Sequence, residues 1–385
     1  MSILLTTVLI CFLGGNIYIY IRILQTLHSA SVAVKILFSI IFWLLAAMLF
    51  IVLTTRHSNI PEFIPKMMFT IGCLWFIFIM YMTLIMLAAD AIKHFFVPGM
   101  RYGILYSFGI TTIILLAGHI NYLHPKINRI EMPIEKEFAN GDTVTVVAVS
   151  DIHLGYGTGR KRLSKLVDMI NSEKPDVILI GGDLIDNSLI PLYNENMDEE
   201  LKRLKAPMGI YMAPGNHEYI SGIDESVRFI NRTQIKMLFD SIVTLPNGIQ
   251  IICRDDARNQ MKRMSIDKLT AKCDSLKPII LVDHQPWKIS EKDSSGIDIQ
   301  FSGHTHHGQI WPGNIITDII YEQSHGYRKW PHSHVYVSSG LSLWGPPFRI
   351  GTNCDMGVFK IYSTKSETDT ISNNHHKQKR QREEE

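Results

Sequence analysis

Five short motifs in this 385-residue chain carry the side chains that bind divalent metals. Asp151 and His153 stand in SDIH, Asp183 in GGD, Asn216 and His217 in GNHE, His284 in DH, and His304 and His306 in GHTHHGQ. Carboxylate, carboxamide and imidazole donors without thiolate suit manganese, iron or zinc, and a central carboxylate such as Asp183 can bridge two ions. Taken singly the motifs say little: Asp-x-His occurs by chance, and a lone histidine such as His284 is usually structural. Taken together they call for binding of two metal ions, because all five recur in order and glycines beside several permit close backbone approach.

Each motif follows directly on an element able to position it. Residues 144–149, 177–180, 210–213, 279–282, 299–301 and 335–337 read as short buried strands, and 160–171 and 225–239 have helical periodicity. This alternation predicts a layered α/β sheet domain. Strand ends on one edge of such a sheet converge, so ligands far apart in sequence can line one cleft.

The first third of the chain is different. Residues 3–21, 36–55, 67–89 and 102–118 contain no charged side chain, and each run is near the roughly 20 residues that cross a bilayer core. Four transmembrane helices are expected. A cleaved signal peptide would need a basic start and a small-residue cleavage site, which the first run lacks. A soluble helical bundle would need polar faces that these runs do not have. The expected organisation is therefore a transmembrane region at 1–122, a connector with a first strand at 123–142, the metal-binding domain at 143–362, and a polar, disordered tail at 363–385.

Charge near the span ends is almost balanced. Arg22, Lys35, Lys93 and Arg101 lie on one side, against Arg56, Lys66, Lys126, Arg129 and Lys136 on the other. The positive-inside rule thus leans by one residue towards a cytoplasmic domain. The formal net charge is +2 and no basic stripe with interleaved aromatics occurs, so no nucleic-acid partner is expected. No phosphate-binding Gly-Lys loop is present, which leaves a nucleotide triphosphatase without support. The five cysteines lack paired or zinc-like spacing, so no disulfide framework is expected.

SDIH, GGD, GNHE, DH and GHTHHGQ together resemble the calcineurin-like metallophosphoesterases. GHTHHGQIWP and YVSSGLSLWGPPFRIG are most similar to the membrane-associated bacterial branch of that family, the YkuE/YaeI type, and the resemblance spans residues 130–362. It implies an α/β/β/α sandwich behind four transmembrane helices. It also implies that Asp151, His153 and His306 bind one ion, that Asn216, His284 and His304 bind a second, and that Asp183 bridges them. The implied chemistry is in-line attack on phosphorus by hydroxide generated at the ions, with His217 stabilising the transferring oxygens or protonating the leaving group.

His307 departs from the branch, which has glycine there; it is read either as a rim residue or as a phosphate contact. Arg349 is read equally as a phosphate ligand or a structural ion-pair partner. Asp186 and Glu218 are candidates for orienting the ligands. Asp90, at the end of the third span, is read as a membrane-interface residue.

The expected function is a membrane-anchored phosphodiesterase or pyrophosphatase whose substrate extends to a lipid-linked phosphoester such as a UDP-diacylglucosamine, in a bacterial-type plasma membrane. A phosphomonoesterase or protein phosphatase is the alternative within the enzymes. A scaffold or transporter with a non-catalytic phosphoesterase domain is the alternative outside them.

Overall fold

The computed structural model describes residues 2–55, 63–96, 103–138, 143–259 and 262–364. Arg56 and Arg101, counted above for orientation, and the tail beyond residue 364 lie outside the described residues. The chain forms two units, Met1–Leu123 with Trp344–Ile350, and His124–Leu343 with Gly351–Glu385.

The first unit is built from α1 (Ser2–Thr26), α2 (Val32–Thr55), α3 (Phe63–Phe95) and α4 (Gly103–Leu123). All four are long and apolar enough to cross a membrane. Their outward faces carry Ile10, Leu13, Ile36, Ile40, Leu105 and Ile113, all exposed, an arrangement that suits lipid and not water. Inside the unit, Ile19, Phe42, Ile79, Met82 and Met86 form a core. The buried Asn16 amide is satisfied there, accepting from Trp75 Nε1 at 3.0 Å and donating to Phe12 O at 2.8 Å. Asp90 pairs with Arg22 at 2.5 Å and accepts from Tyr18 Oη, so it ties α3 to α1. Segment Trp344–Ile350 lies along α4: Arg349 N donates to Gly118 O and Asn121 Nδ2 donates to Arg349 O, both at 3.0 Å.

The second unit runs β1 (Lys126–Ile134), β2 (Val144–Val149), α5 (Arg160–Ser172), β3 (Val177–Ile180), α6 (Ile190–Asn194), α7 (Met197–Leu201), β4 (Ile210–Met212), α8 (Asn216–Ile220) and α9 (Ile223–Ile230). It continues with β5 (Lys236–Met237), β6 (Ser241–Thr244), β7 (Gln250–Cys253), α10 (Ile266–Thr270), β8 (Ile279–Val282), α11 (Ile289–Asp293), β9 (Ile299–Ser302), α12 (Gly313–Ile320), β10 (Gly326–Lys329), β11 (His334–Val337) and β12 (Asp355–Ser363). Two six-stranded sheets result, ordered β1-β12-β2-β3-β4-β5 and β10-β11-β9-β8-β7-β6. The strands that carry the metal motifs, β2, β3 and β4 in one sheet and β8 and β9 in the other, are parallel to their neighbours in that set.

Strand alternation explains the layering. On β2, Val147 and Val149 face a core that includes Leu163, Leu166 and Ile170 of α5, whereas Val146 and Ala148 face a core shared with Ile251, Ile280 and Phe301 of the second sheet. On the far side of the second sheet, Ile252 and Leu281 pack with Ile266 and Leu269 of α10. Period-two side-chain direction thus produces helix, sheet, sheet, helix.

One expectation fails. Residues 225–239 do not form a single helix: α9 stops at Ile230 and β5 follows. The Thr233 hydroxyl donates to Ile230 O at 2.7 Å and accepts from Ile235 N at 3.1 Å. This local side-chain turn competes with the helix and ends it.

Candidate metal centre

All five motif loops leave the ends of parallel strands, and the fold brings their side chains together. Asp151, His153 and His306 place one donor atom each within 4.8 Å of one another, and Asp183, His284 and His304 do the same. In the first group His306 Nε2 is 3.4 Å from Asp151 Oδ1 and 3.0 Å from His153 Nε2. In the second, His284 Nε2 is 3.2 Å from both Asp183 Oδ2 and Asn216 Oδ1. Asp183 Oδ2 is also 3.9 Å from His153 Nε2, so one carboxylate oxygen faces both groups.

These spacings fit metal ligation. Two imidazole nitrogens at about 2.1 Å from one ion lie roughly 3.0–3.4 Å apart at octahedral to tetrahedral angles. The 3.0 Å between His153 Nε2 and His306 Nε2 falls in that range.

Backbone strain marks the same residues. Asp151, His153, Asp183, His304 and His306 all have φ between 48° and 71°, a left-handed conformation that costs a non-glycine residue about 1–2 kcal/mol. Such strain persists only where the surroundings hold it, and neighbouring glycines make room for it. A Cβ on Gly215 would lie 2.1 Å from Asp183 Oδ1, and one on Gly303 2.2 Å from Asp151 Oδ2.

Two further carboxylates support the donors. Glu218 is fully buried and accepts three backbone N–H groups: Asp183 N at 3.0 Å and Gly215 N at 2.7 Å on Oε2, and Ile185 N at 3.0 Å on Oε1. It thereby locks the Asp183 loop to the Asn216 loop. Asp186 lies 3.5 Å from His153 Nδ1 and 3.3 Å from His217 Nδ1. His217 Nδ1 also approaches Asp186 O at 3.2 Å, and its backbone N–H donates to Asp183 Oδ1 at 2.8 Å.

Burial pushes Asp151 and Glu218 up, whereas Asp183 and Asp186 stay ionised beside their histidines, and these buried carboxylates create a strong demand for positive charge. Burial pushes Asp183 up, but the His284, His217 and His153 imidazoles outweigh it and hold the carboxyl well below its ordinary range. Burial drives His284 down, yet the Asp183 and Asp151 carboxylates raise it well above an ordinary imidazole. His304 is pushed down to about 3 by burial and by His284. Burial also lowers His217, and the hydrogen bond with Asp186 together with the Asp183 charge more than reverses this, to about 9. The positive charge that these carboxylates require therefore rests on imidazoles, where a divalent cation would displace protons.

Behind His284, Asp283 anchors a charge cluster that sequence reading missed. Its carboxylate meets Lys292 Nζ at 2.7 Å, Arg254 at 3.1 Å and Arg263. These partners are scattered along the chain, and no spacing signal links them.

His307 lies outside both donor groups. It stacks on His325 with ring centroids 3.4 Å apart, and its Nε2 is 3.5 Å from Asp318 Oδ1. Arg349, almost completely buried, belongs to the helical unit through the backbone bonds to Gly118 and Asn121 described above.

A family model described as calcineurin-like phosphoesterase matches residues 144–308. An uncharacterized metallophosphoesterase of Helicobacter pylori (strain J99) is 31% identical over 277 residues, 69% of this chain and 73% of that protein. A transmembrane protein with metallophosphoesterase domain from Danio rerio is 32% identical over 265 residues, 64% of this chain and 60% of its own. The Bacillus subtilis metallophosphoesterase YkuE is 29% identical over 263 residues, 64% of this chain and 90% of its own.

Proposed function

Because this chain belongs to the calcineurin-like metallophosphoesterase family, we propose that it is a membrane-anchored hydrolase of a phosphodiester or pyrophosphate bond, working with two metal ions and reaching substrates carried by lipid. Asp151, His153 and His306 would hold one ion, Asn216, His284 and His304 the other, and Asp183 both. The observation that carries this reading is the Asp183 carboxylate, 3.2 Å from His284 of one donor group and 3.9 Å from His153 of the other. Manganese, iron and zinc all suit these oxygen and nitrogen donors. When bound, such ions supply Lewis-acid polarisation of the phosphoryl oxygens and water activation at neutral pH.

The remaining steps fall to side chains of the chain itself. Asp186 holds His217 by Nδ1, leaving Nε2 as the nitrogen that protonates the leaving oxygen. Glu218 keeps the Asp183 and Asn216 loops in register, which holds the shared carboxylate against the second donor group. Four helices able to cross a membrane support anchoring in a bacterial-type plasma membrane, and anchoring favours a lipid-linked phosphoester over a soluble protein phosphate. A cytoplasmic catalytic domain would be consistent with a nucleotide-linked lipid such as a UDP-diacylglucosamine.

The test is a hydrolysis screen of soluble and lipid-linked phosphodiesters with added manganese, run on the parent chain and on His217→Ala. The variant should keep its metals and lose about 100-fold or more of its turnover. A parent chain without turnover on any phosphoester would favour a non-catalytic scaffold, and loss of metal in His217→Ala would make His217 a ligand.

A further inference from the structure

Helix α12 is built inside out. Its four isoleucines, Ile315, Ile316, Ile319 and Ile320, occupy one arc of about 140° at 100° per residue, and in a soluble protein such a face turns to the core. Here it turns to solvent: the four are 47%, 42%, 79% and 48% exposed, and Trp311 just ahead of the helix is 46% exposed. The helix is fastened at positions that flank this arc. Asp318 accepts from the Ser324 hydroxyl and lies 3.5 Å from His307 Nε2, and a Cβ on Gly313 would lie 2.6 Å from Gly308 O. A contiguous exposed apolar face of this kind marks a binding surface.

We propose that the isoleucine face of α12 docks into the acyl region of the lipid bilayer. The occupant follows from chain connectivity. Only His124 and Pro125 separate the end of α4, a candidate membrane span, from β1 of the second unit, a tether of about 11 Å at most. A unit so tethered stays at the bilayer surface, where an amphipathic helix with this division of faces lies in the interfacial plane. Helix α12 also follows closely on the loop that carries His304 and His306, so docking would hold that loop at the lipid surface. This deepens the lipid-linked substrate proposed above and rests on that reading for the substrate, though not for the contact itself.

The test uses the full chain in phosphatidylcholine nanodiscs, with a photoreactive benzoylphenylalanine in place of Ile319 or, as control, of Asn314. Irradiation should attach lipid at position 319 at least about fivefold more than at 314. Equal labelling, or attachment at 319 to a second copy of the chain, would overturn the proposal. In parallel, the double variant Ile315→Asp with Ile319→Asp should lose about tenfold or more of kcat/KM on a phosphodiester carried by lipid and keep its rate on a soluble chromogenic diester, one decade being about 1.4 kcal/mol. Equal loss on both, or on neither, would count against docking. A parent chain that hydrolyses no phosphodiester would refute the proposed function, and the lipid adduct at 319 would then decide docking alone.

Discussion

Replacing Glu218 by Gln tests whether one buried carboxylate holds together the two loops that carry Asp183 and Asn216. The change is nearly isosteric, so its effect comes from hydrogen bonding. The carboxylate serves three donors, Asp183 N and Gly215 N on one oxygen and Ile185 N on the other. A glutamine amide has a single oxygen, which at best serves the first two and leaves its own NH2 against the Ile185 N–H. Two buried donors then lack acceptors, at about 1–3 kcal/mol each, for a total loss of about 2–6 kcal/mol. For a unit of this size each kcal/mol lowers Tm by about 2–4 °C, so scanning calorimetry of the metal-loaded chain should record a fall of about 4–24 °C. Weaker metal binding, about 10- to 100-fold by equilibrium titration, should accompany it. The exposed Glu199→Gln is the control and should move Tm by less than about 1 °C. A Glu218→Gln chain with parental Tm and metal affinity would refute the clamp.

Gly215→Ala should abolish metal binding, because its Cβ would lie 2.1 Å from Asp183 Oδ1 and 2.5 Å from Asp183 N; calorimetric titration that finds normal affinity would contradict this. The Asp283 cluster predicts an acid-dependent stability. Burial pushes Asp283 up, but Lys292, Arg263 and Arg254 outweigh it and hold it at about 2. With the folded pKa depressed, the stabilisation is complete above about pH 4 and is lost as pH falls through about 2, so Asp283→Asn should cost about 2 kcal/mol at pH 7. Denaturant midpoints should show that difference shrinking from pH 4 towards pH 2; a difference that does not change with pH would argue against the charge account.

The convergence of the motif side chains was easier to read in the sequence than the scaffold around them. Asp151, Asp183, Asn216, His284 and His304 each stand two to four residues beyond a strand, and parallel strands deliver such positions to one edge, so their convergence could be anticipated. The Gln250–Cys253 strand had no comparable signal: it offers only two adjacent β-branched residues, Ile251 and Ile252, and none of the five donor motifs follows to mark its end. Apolar periodicity continues past Ile230 and so predicts a longer helix than α9, whereas the Thr233 turn that ends it is a purely local hydrogen-bond effect. The four apolar helices were evident from length and uncharged composition, but nothing in balanced flanking charge fixes their orientation. Asp283 and its cations, and the outward isoleucines of α12, depend on which faces meet in three dimensions, and one-dimensional patterning does not report that.

The central claim is that Asp183 joins two metal-binding groups in one catalytic centre. Elemental analysis and phosphodiester turnover of the full chain, measured side by side with Asp183→Asn, test it most directly. The parent chain should hold about two ions, and the variant should lose at least one of them together with essentially all hydrolysis. A variant that keeps both ions and the parental turnover would contradict it.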